Sequence, residues 1–278
     1  MIDPGLKDKV VLVTGGNNPY GIGAAIAKTF AAEGAKVFVT YLRQILENRD
    51  VGEQQAQHAD IPGLPFWRAM VAKSADEVAQ AIRDHGGQVE TWETDLSDPK
   101  NIPQLFDRAE AAFDCVDVLV NNAAYCEWPE TIFTTTAEIV DKHFAVNTRA
   151  AVLLIHEFVR RYQNRGGKWG RIVNLSTDAA QCFAGSISYG ASKAAMEAFT
   201  RSIATEVGPL GITVNTVAPG PIQTGVFSPK SEAELRSQIP LRRIGQPKDI
   251  ADVIVFLASE QAGWLTGQVI KVSGGHAL

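Results

Sequence analysis

The chain has 278 residues, 45% of them hydrophobic and 21% charged, an ordinary globular usage that excludes a disordered or fibrous protein. Its net charge of −5 leaves no basic footprint for nucleic acid, and no apolar run is long enough to span a bilayer. Cys115, Cys126 and Cys182 are too widely spaced for a metal motif or a disulfide framework. The start, Met1-Ile2-Asp3-Pro4-Gly5, puts an acid and a proline where a secretory signal needs an apolar stretch, so a cytoplasmic protein is expected.

Residues 10–14 form a short β-branched apolar run, as suits a strand buried on both faces of a parallel sheet. A glycine-rich turn at 15–23 and a helix at 24–34 follow, then a second buried strand at 36–41. Such a strand–helix–strand unit implies a right-handed crossover. The alternation continues with a helix at 75–85, a strand at 88–94 and a helix at 99–113 with Asp98 as its N-cap. Next come a strand at 116–121, a long helix at 137–164, a strand at 170–176 and a helix at 189–207. A strand at 212–218, a helix at 247–259 and a strand at 268–272 complete the chain. Seven strands with helices between them predict an α/β fold: one doubly wound parallel seven-stranded sheet in a single domain over 1–278. Two stretches break the rhythm. Residues 42–73 are a polar insertion holding Phe66 and Trp67, and residues 221–246 are a proline-rich substrate-lid segment with an amphipathic piece at 231–238.

Two features carry chemistry. Thr14-Gly15-Gly16-Asn17-Asn18-Pro19-Tyr20-Gly21-Ile22-Gly23 lies between strand and helix, where glycines let a backbone approach a pyrophosphate and the helix N-terminus attracts it. The end of the second strand, Thr40-Tyr41-Leu42-Arg43, lacks the carboxylate that would hold a ribose 2′-OH. Arg43 is either an ordinary exposed arginine or a partner for a 2′-phosphate; the second reading favours NADP(H), with NAD(H) as the alternative. The other feature is Tyr189 and Lys193, four apart and so on one helix face, just after the fifth strand, where strand ends form a ligand crevice. A cation beside a phenol lowers its pKa and fits it for proton transfer. His156-Glu157 lacks a second zinc ligand, and His58, His85, His143 and His276 show no partners, so no catalytic metal is expected.

These residues are joined by Asp95-Leu96, Asn121-Asn122-Ala123-Ala124, Asn147, Asn174, and the run Asn215-Thr216-Val217-Ala218-Pro219-Gly220. In that order they resemble the short-chain dehydrogenase/reductase superfamily, Tyr-x-x-x-Lys branch, and within it the 3-oxoacyl-carrier-protein reductase-like members. The resemblance implies a Rossmann fold and hydride transfer between a nicotinamide cofactor and a small-molecule carbonyl or secondary alcohol. It implies that Tyr189 is the acid/base, that Lys193 lowers the Tyr189 pKa and binds the nicotinamide ribose, and that Asn147 holds a water. The substrate-orienting hydroxyl is Thr177 counted from the strand and Ser176 counted back from Tyr189; the strand count is favoured. Around the cofactor the resemblance places Gly15, Asn17, Asn18, Gly21, Ile22, Gly23, Tyr41, Arg43, Asp95, Leu96, Asn122, Ala123, Ala124, Tyr189, Lys193, Pro219, Gly220, Ile222 and Thr224, with Asn122 equally readable as a strand-end cap. It also implies a homo-oligomer, tetramer or dimer. The five residues between Gly15 and Gly21 depart from the family's three and match divergent enoyl reductases, but no tyrosine here has a lysine six residues on. Enoyl reduction therefore ranks second. A non-catalytic dinucleotide sensor ranks third, since it has no need of the catalytic set.

Overall fold

The computed structural model describes residues 3–44 and 61–277. Seven parallel strands form one sheet: β1 (Val10–Thr14), β2 (Lys36–Tyr41), β3 (Gln88–Glu93), β4 (Val118–Asn121), β5 (Gly170–Leu175), β6 (Ile212–Pro219) and β7 (Val269–Val272). The spatial order is β3-β2-β1-β4-β5-β6-β7. Strand order therefore reverses between β1 and β4, and the crevice at their carboxyl ends is where such sheets bind ligands. The predicted doubly wound sheet is observed.

The alternation of side chains along each strand divides the core in two. Val11, Val13, Val37 and Val39 point into one layer with Ile26 and Phe30 of α1 (Ile22–Ala32) and Ile250 and Ile254 of the last helix. Val10, Leu12 and Phe38 point into the other, against Leu105, Phe106, Leu154, Phe158 and Met196. Burying each such side chain contributes about 1.5–3 kcal/mol, which is why short runs with no polar face had to be central strands.

The helices differ from expectation in several places, α1 among them, which runs over Ile22–Ala32, two residues ahead of the expected 24–34. The insertion contains α2 (Leu64–Val71), with Phe66, Met70 and Val71 buried; residues 45–60 of the 42–73 insertion, with His58, lie outside the described residues. α3 (Asp76–Asp84) follows it. α4 (Asn101–Phe113) starts one turn after Asp98, whose carboxylate instead accepts from the Lys100 N–H at 3.0 Å in a local turn, so Asp98 is not the N-cap. The long helix is interrupted: α5 (Ala137–Phe144) and α6 (Ala151–Asn164) flank a π-helical turn at Ala145–Ala150. Finally α7 (Ile187–Val207) begins two residues earlier than expected. The lid carries α8 (Pro229–Gln238), capped by the Ser228 hydroxyl, and α9 (Pro247–Ala258) closes the fold. Among the described residues no helix is long and apolar enough to cross a membrane, and no three side chains are grouped to hold a metal. All three cysteines are free.

Candidate active site

The glycine turn sits at the β1–β4 switch point. Gly15 has φ +76°, and a side chain there would strike the Ala123 backbone. A Cβ on Gly23 would lie 2.2 Å from the Gly15 carbonyl oxygen, so α1 can enter this close to the turn only without one. α1 starts with no side-chain cap and no acidic residue in its first turn. Its first N–H groups are thus left for an anion, which fits a dinucleotide pyrophosphate.

Asn17 and Asn18 have other partners. The Asn17 amide donates to the carbonyls of Val71 (2.8 Å) and Lys73 (2.9 Å), and the Asn18 amide donates to the Thr224 carbonyl (3.1 Å). Tyr20 packs edge-on against Phe66, ring centres 5.1 Å apart. The side chains of Asn17, Asn18 and Tyr20 therefore tie the turn to the insertion and the lid. Asn122 is likewise structural at its side chain, donating to the carbonyls of Thr14 and Gly15 at 2.8 Å each. The Thr14 hydroxyl accepts from the Asn122 and Ala123 N–H groups, fixing the strand end that carries Ala123 and exposed Ala124.

At the adenosine end Tyr41 is buried, and its carbonyl accepts from the Thr94 N–H at 2.8 Å. Arg43 is not a free cation. Its Nε lies 2.9 Å from both oxygens of Glu93, and its Nη2 lies 2.9 Å from Oε2. Asp95 accepts from the Ser97 N–H at 2.8 Å, beside buried Leu96.

Tyr189 and Lys193 share the first turns of α7, where Lys193 is buried and Tyr189 half-buried. The Lys193 ammonium donates to the Leu175 carbonyl at 2.8 Å and lies 5.7 Å from the centre of the Tyr189 ring. Burial lowers the Lys193 pKa from 10.5 to about 8. Burial also pushes the Tyr189 phenol well above the ordinary range, contrary to the expected lowering. The reason is geometric: the ammonium is spent on a carbonyl and faces the ring, while desolvation penalises the phenolate.

Asn147 lies in the π turn, a feature frequent at functional sites. Its Oδ1 accepts from the Tyr125 N–H (2.8 Å), and its amide donates to the Tyr125 carbonyl (2.9 Å) and the Ser192 hydroxyl (3.0 Å). Ser192 in turn donates to the Tyr189 carbonyl. Both amide hydrogens are therefore used inside the protein, so a water here can only donate to Asn147. The two hydroxyl candidates separate cleanly. Ser176 is buried and donates to Glu197 at 2.6 Å, whereas Thr177 is half-buried and accepts only a long 3.4 Å contact from Ala179. Pro219 and Gly220 stand beside them: the Pro219 carbonyl accepts from the Asp178 N–H, and the Gly220 N–H donates to Val272. Ile222 is buried, and Thr224 donates its N–H to the Ile222 carbonyl.

The family model described as "Enoyl-(Acyl carrier protein) reductase" matches residues 45–277. The chain is 36% identical over 280 residues to "NADPH-dependent aldehyde reductase 2, chloroplastic" of Arabidopsis thaliana, covering 98% of this chain and 95% of that one. It is 33% identical over 270 residues to "Uncharacterized oxidoreductase YjdA" of Bacillus subtilis, covering 97% of each. A solved short-chain dehydrogenase/reductase from Serratia marcescens superposes with a TM-score of 0.79 at 31% identity, covering 98% of this chain and 99% of that one. The chain belongs to the short-chain dehydrogenase/reductase family. It is an oxidoreductase of the nicotinamide-dependent kind, acting on a small molecule.

In this dehydrogenase/reductase several site residues were not read from the sequence. Glu130 is fully buried and accepts from the Ser188 N–H (2.8 Å), the Ser188 hydroxyl (2.5 Å) and the Thr135 hydroxyl (2.7 Å), gripping the start of the helix that carries Tyr189. His143, expected to lack partners, is fully buried: Nδ1 meets the Ile139 carbonyl at 2.7 Å and Nε2 lies 3.1 Å from the Glu127 N–H. Its ring stands against Tyr125 (4.9 Å) and Tyr189 (6.4 Å). His276 also has a partner, meeting Asp178 at 2.7 Å. An acid or imidazole isolated in sequence gives no signal of these roles; only a polar residue inside an otherwise apolar helix face, as at His143, hints at one.

Proposed function

We propose that this chain is an NADPH-dependent carbonyl reductase of the 3-oxoacyl-reductase type, with the oxidation of a secondary alcohol as its reverse reaction. The observation that carries the reading is the Tyr189–Lys193 pair, its buried ammonium bonded to the Leu175 carbonyl at the carboxyl end of β5, the strand end that Thr177 follows. A bound nicotinamide dinucleotide supplies or accepts the hydride. Gly15, Gly21, Ile22 and Gly23 offer the turn backbone to its diphosphate, Asp95 and Leu96 line the adenine side, and Pro219, Gly220, Ile222 and Thr224 frame the nicotinamide side. The NADP(H) preference rests on Arg43 and on the aldehyde reductase relative. Thr177 donates a hydrogen bond to the carbonyl oxygen, and Tyr189 delivers the proton to the same oxygen. Lys193 holds positive charge beside the phenol, so that the phenolate left behind is matched by a cation. Asn147 pins the Tyr125 backbone against the catalytic helix. The same reading takes the chain as one domain acting as a homo-oligomer in the cytoplasm, the oligomer being checked by light scattering.

Tyr189→Phe tests the acid/base role. The variant is expected to lose about 10²–10⁴-fold in kcat while binding NADPH within a few-fold of the parent, read by nucleotide fluorescence. Retention of most activity would sink the role. The description of the matched family model favours a second reading, reduction of an enoyl thioester. Turnover of a 2-enoyl thioester with none of a 3-oxoacyl thioester or aldehyde would select it. Tight nucleotide binding without turnover of any of these would select the sensor.

A further inference from the structure

The sequence offers no carboxylate at the end of β2, but the fold brings one there from the neighbouring strand. In the β2–β3 register Tyr41 stands opposite Glu93, the last residue of β3. From that position Glu93 holds Arg43 twice. Its Oε1 accepts from the Arg43 backbone N–H at 3.1 Å, and its two oxygens occupy the Nε–Nη2 edge of the guanidinium at 2.9 Å. That edge is one of the paired-donor faces an arginine offers to a phosphate.

We infer that Glu93 is a specificity-determining residue that weakens discrimination between NADP(H) and NAD(H) by occupying the Arg43 edge a 2′-phosphate would use. This rests on the reading of Arg43 as the 2′-phosphate partner. A carboxylate beside the cation makes the adenosine end nearly neutral. A 2′-phosphate then gains Arg43 only by displacing Glu93 or by sharing it against like-charge repulsion. Both side chains are partly exposed, at 45% for Arg43 and 30% for Glu93. An exposed pair of this kind is cheap to break. Glu93 therefore trims the preference and does not abolish it, and an unphosphorylated ribose meets no unpaired cation. The chain uses both nucleotides, with NADP(H) ahead by a modest factor.

The test measures dissociation constants of 2′,5′-ADP, 5′-AMP, NADPH and NADH for the parent, Glu93→Gln, Arg43→Ala and the double variant. Glutamine keeps an oxygen for the Arg43 N–H and removes only the charge. Glu93→Gln is expected to raise the preference for 2′,5′-ADP over 5′-AMP by about 5–10-fold, with 5′-AMP and NADH affinity unchanged. The gain should vanish in the Arg43→Ala background and shrink as salt is raised, since exposed charges are screened over about 10 Å at 0.1 M. A change below about twofold, or a loss of 2′,5′-ADP affinity, would overturn the inference and make Glu93 a support for Arg43. Unchanged preference in Arg43→Ala would instead overturn the reading of Arg43, and failure of the parent to bind NADH or NADPH would overturn the cofactor reading.

Discussion

Ser176 and Thr177 are adjacent hydroxyls that one sequence count cannot separate. Their hydrogen bonds do so: Ser176 is committed to Glu197 on α7, and Thr177 is half-buried with only a long 3.4 Å contact from the Ala179 N–H. Thr177→Ala should lower kcat by about 10²–10³-fold, the usual effect of losing a donor to a reacting oxygen. Ser176→Ala should leave kcat within a few-fold and cost instead about 1–3 kcal/mol of stability, since Glu197 loses its donor. Steady-state kinetics and urea unfolding of both variants check this; the reverse pattern would move the role to Ser176. Tyr189, Lys193 and the glycines were legible because a helix repeat of four and a strand–turn–helix boundary are local facts. The engagement of Arg43 by Glu93 was not, because the two are fifty residues apart and meet only through strand register.

At the scale of elements, boundaries were read well where composition changes sharply, as at β1, β2 and α9. They were misread where a side chain competes with the backbone, as at Asp98, and where the long helix opens into a π turn around Asn147. The start of α7 has no side-chain cap of its own from Ser186. Glu130 replaces it from the loop after β4, and the backbone of the two segments meets as well, Glu130 donating its N–H to Gly185 at 2.6 Å. Burial alone would raise the Glu130 carboxyl, but its bonds from Ser188 and Thr135 hold it below the ordinary glutamate range. Glu130→Ala leaves two buried donors of Ser188 unpaired at the helix that carries Tyr189 and Lys193, together with the half-buried Thr135 hydroxyl. It should cost about 2–4 kcal/mol in urea unfolding, whereas Glu138→Ala, on an exposed i,i+4 pair with Lys142, should leave the unfolding midpoint almost unchanged. Equal effects would remove Glu130 from its role as a cap.

At the scale of the whole molecule, the enclosure that serves the site has a cost that pH reveals. Lys193 titrates near 8 when folded and near 10.5 when unfolded. Below about pH 8 both states are protonated and the folded chain carries the full penalty of a buried cation; between these values the unfolded chain binds more protons, so stability rises with pH. Relative to Lys193→Met, which has no such group, the parent should gain about 3 kcal/mol from pH 8 to 10.5, measured by urea unfolding of the purified chain without added nucleotide. A flat difference would show that Lys193 keeps its ordinary pKa. The strand–helix alternation, the buried character of each strand, the glycine turn and the spacing of Tyr189 and Lys193 were determined by the sequence alone, because each depends on residues near one another along the chain. Tertiary structure decided what those residues are used for. It turned Asn17 and Asn18 into ties to the insertion and lid, gave Arg43 a carboxylate, supplied a distant cap to α7 and aimed Lys193 at the Leu175 carbonyl. Each of these depends on which polar groups meet once the sheet is assembled, and desolvation and pairing act on that neighbourhood, not on order in the chain.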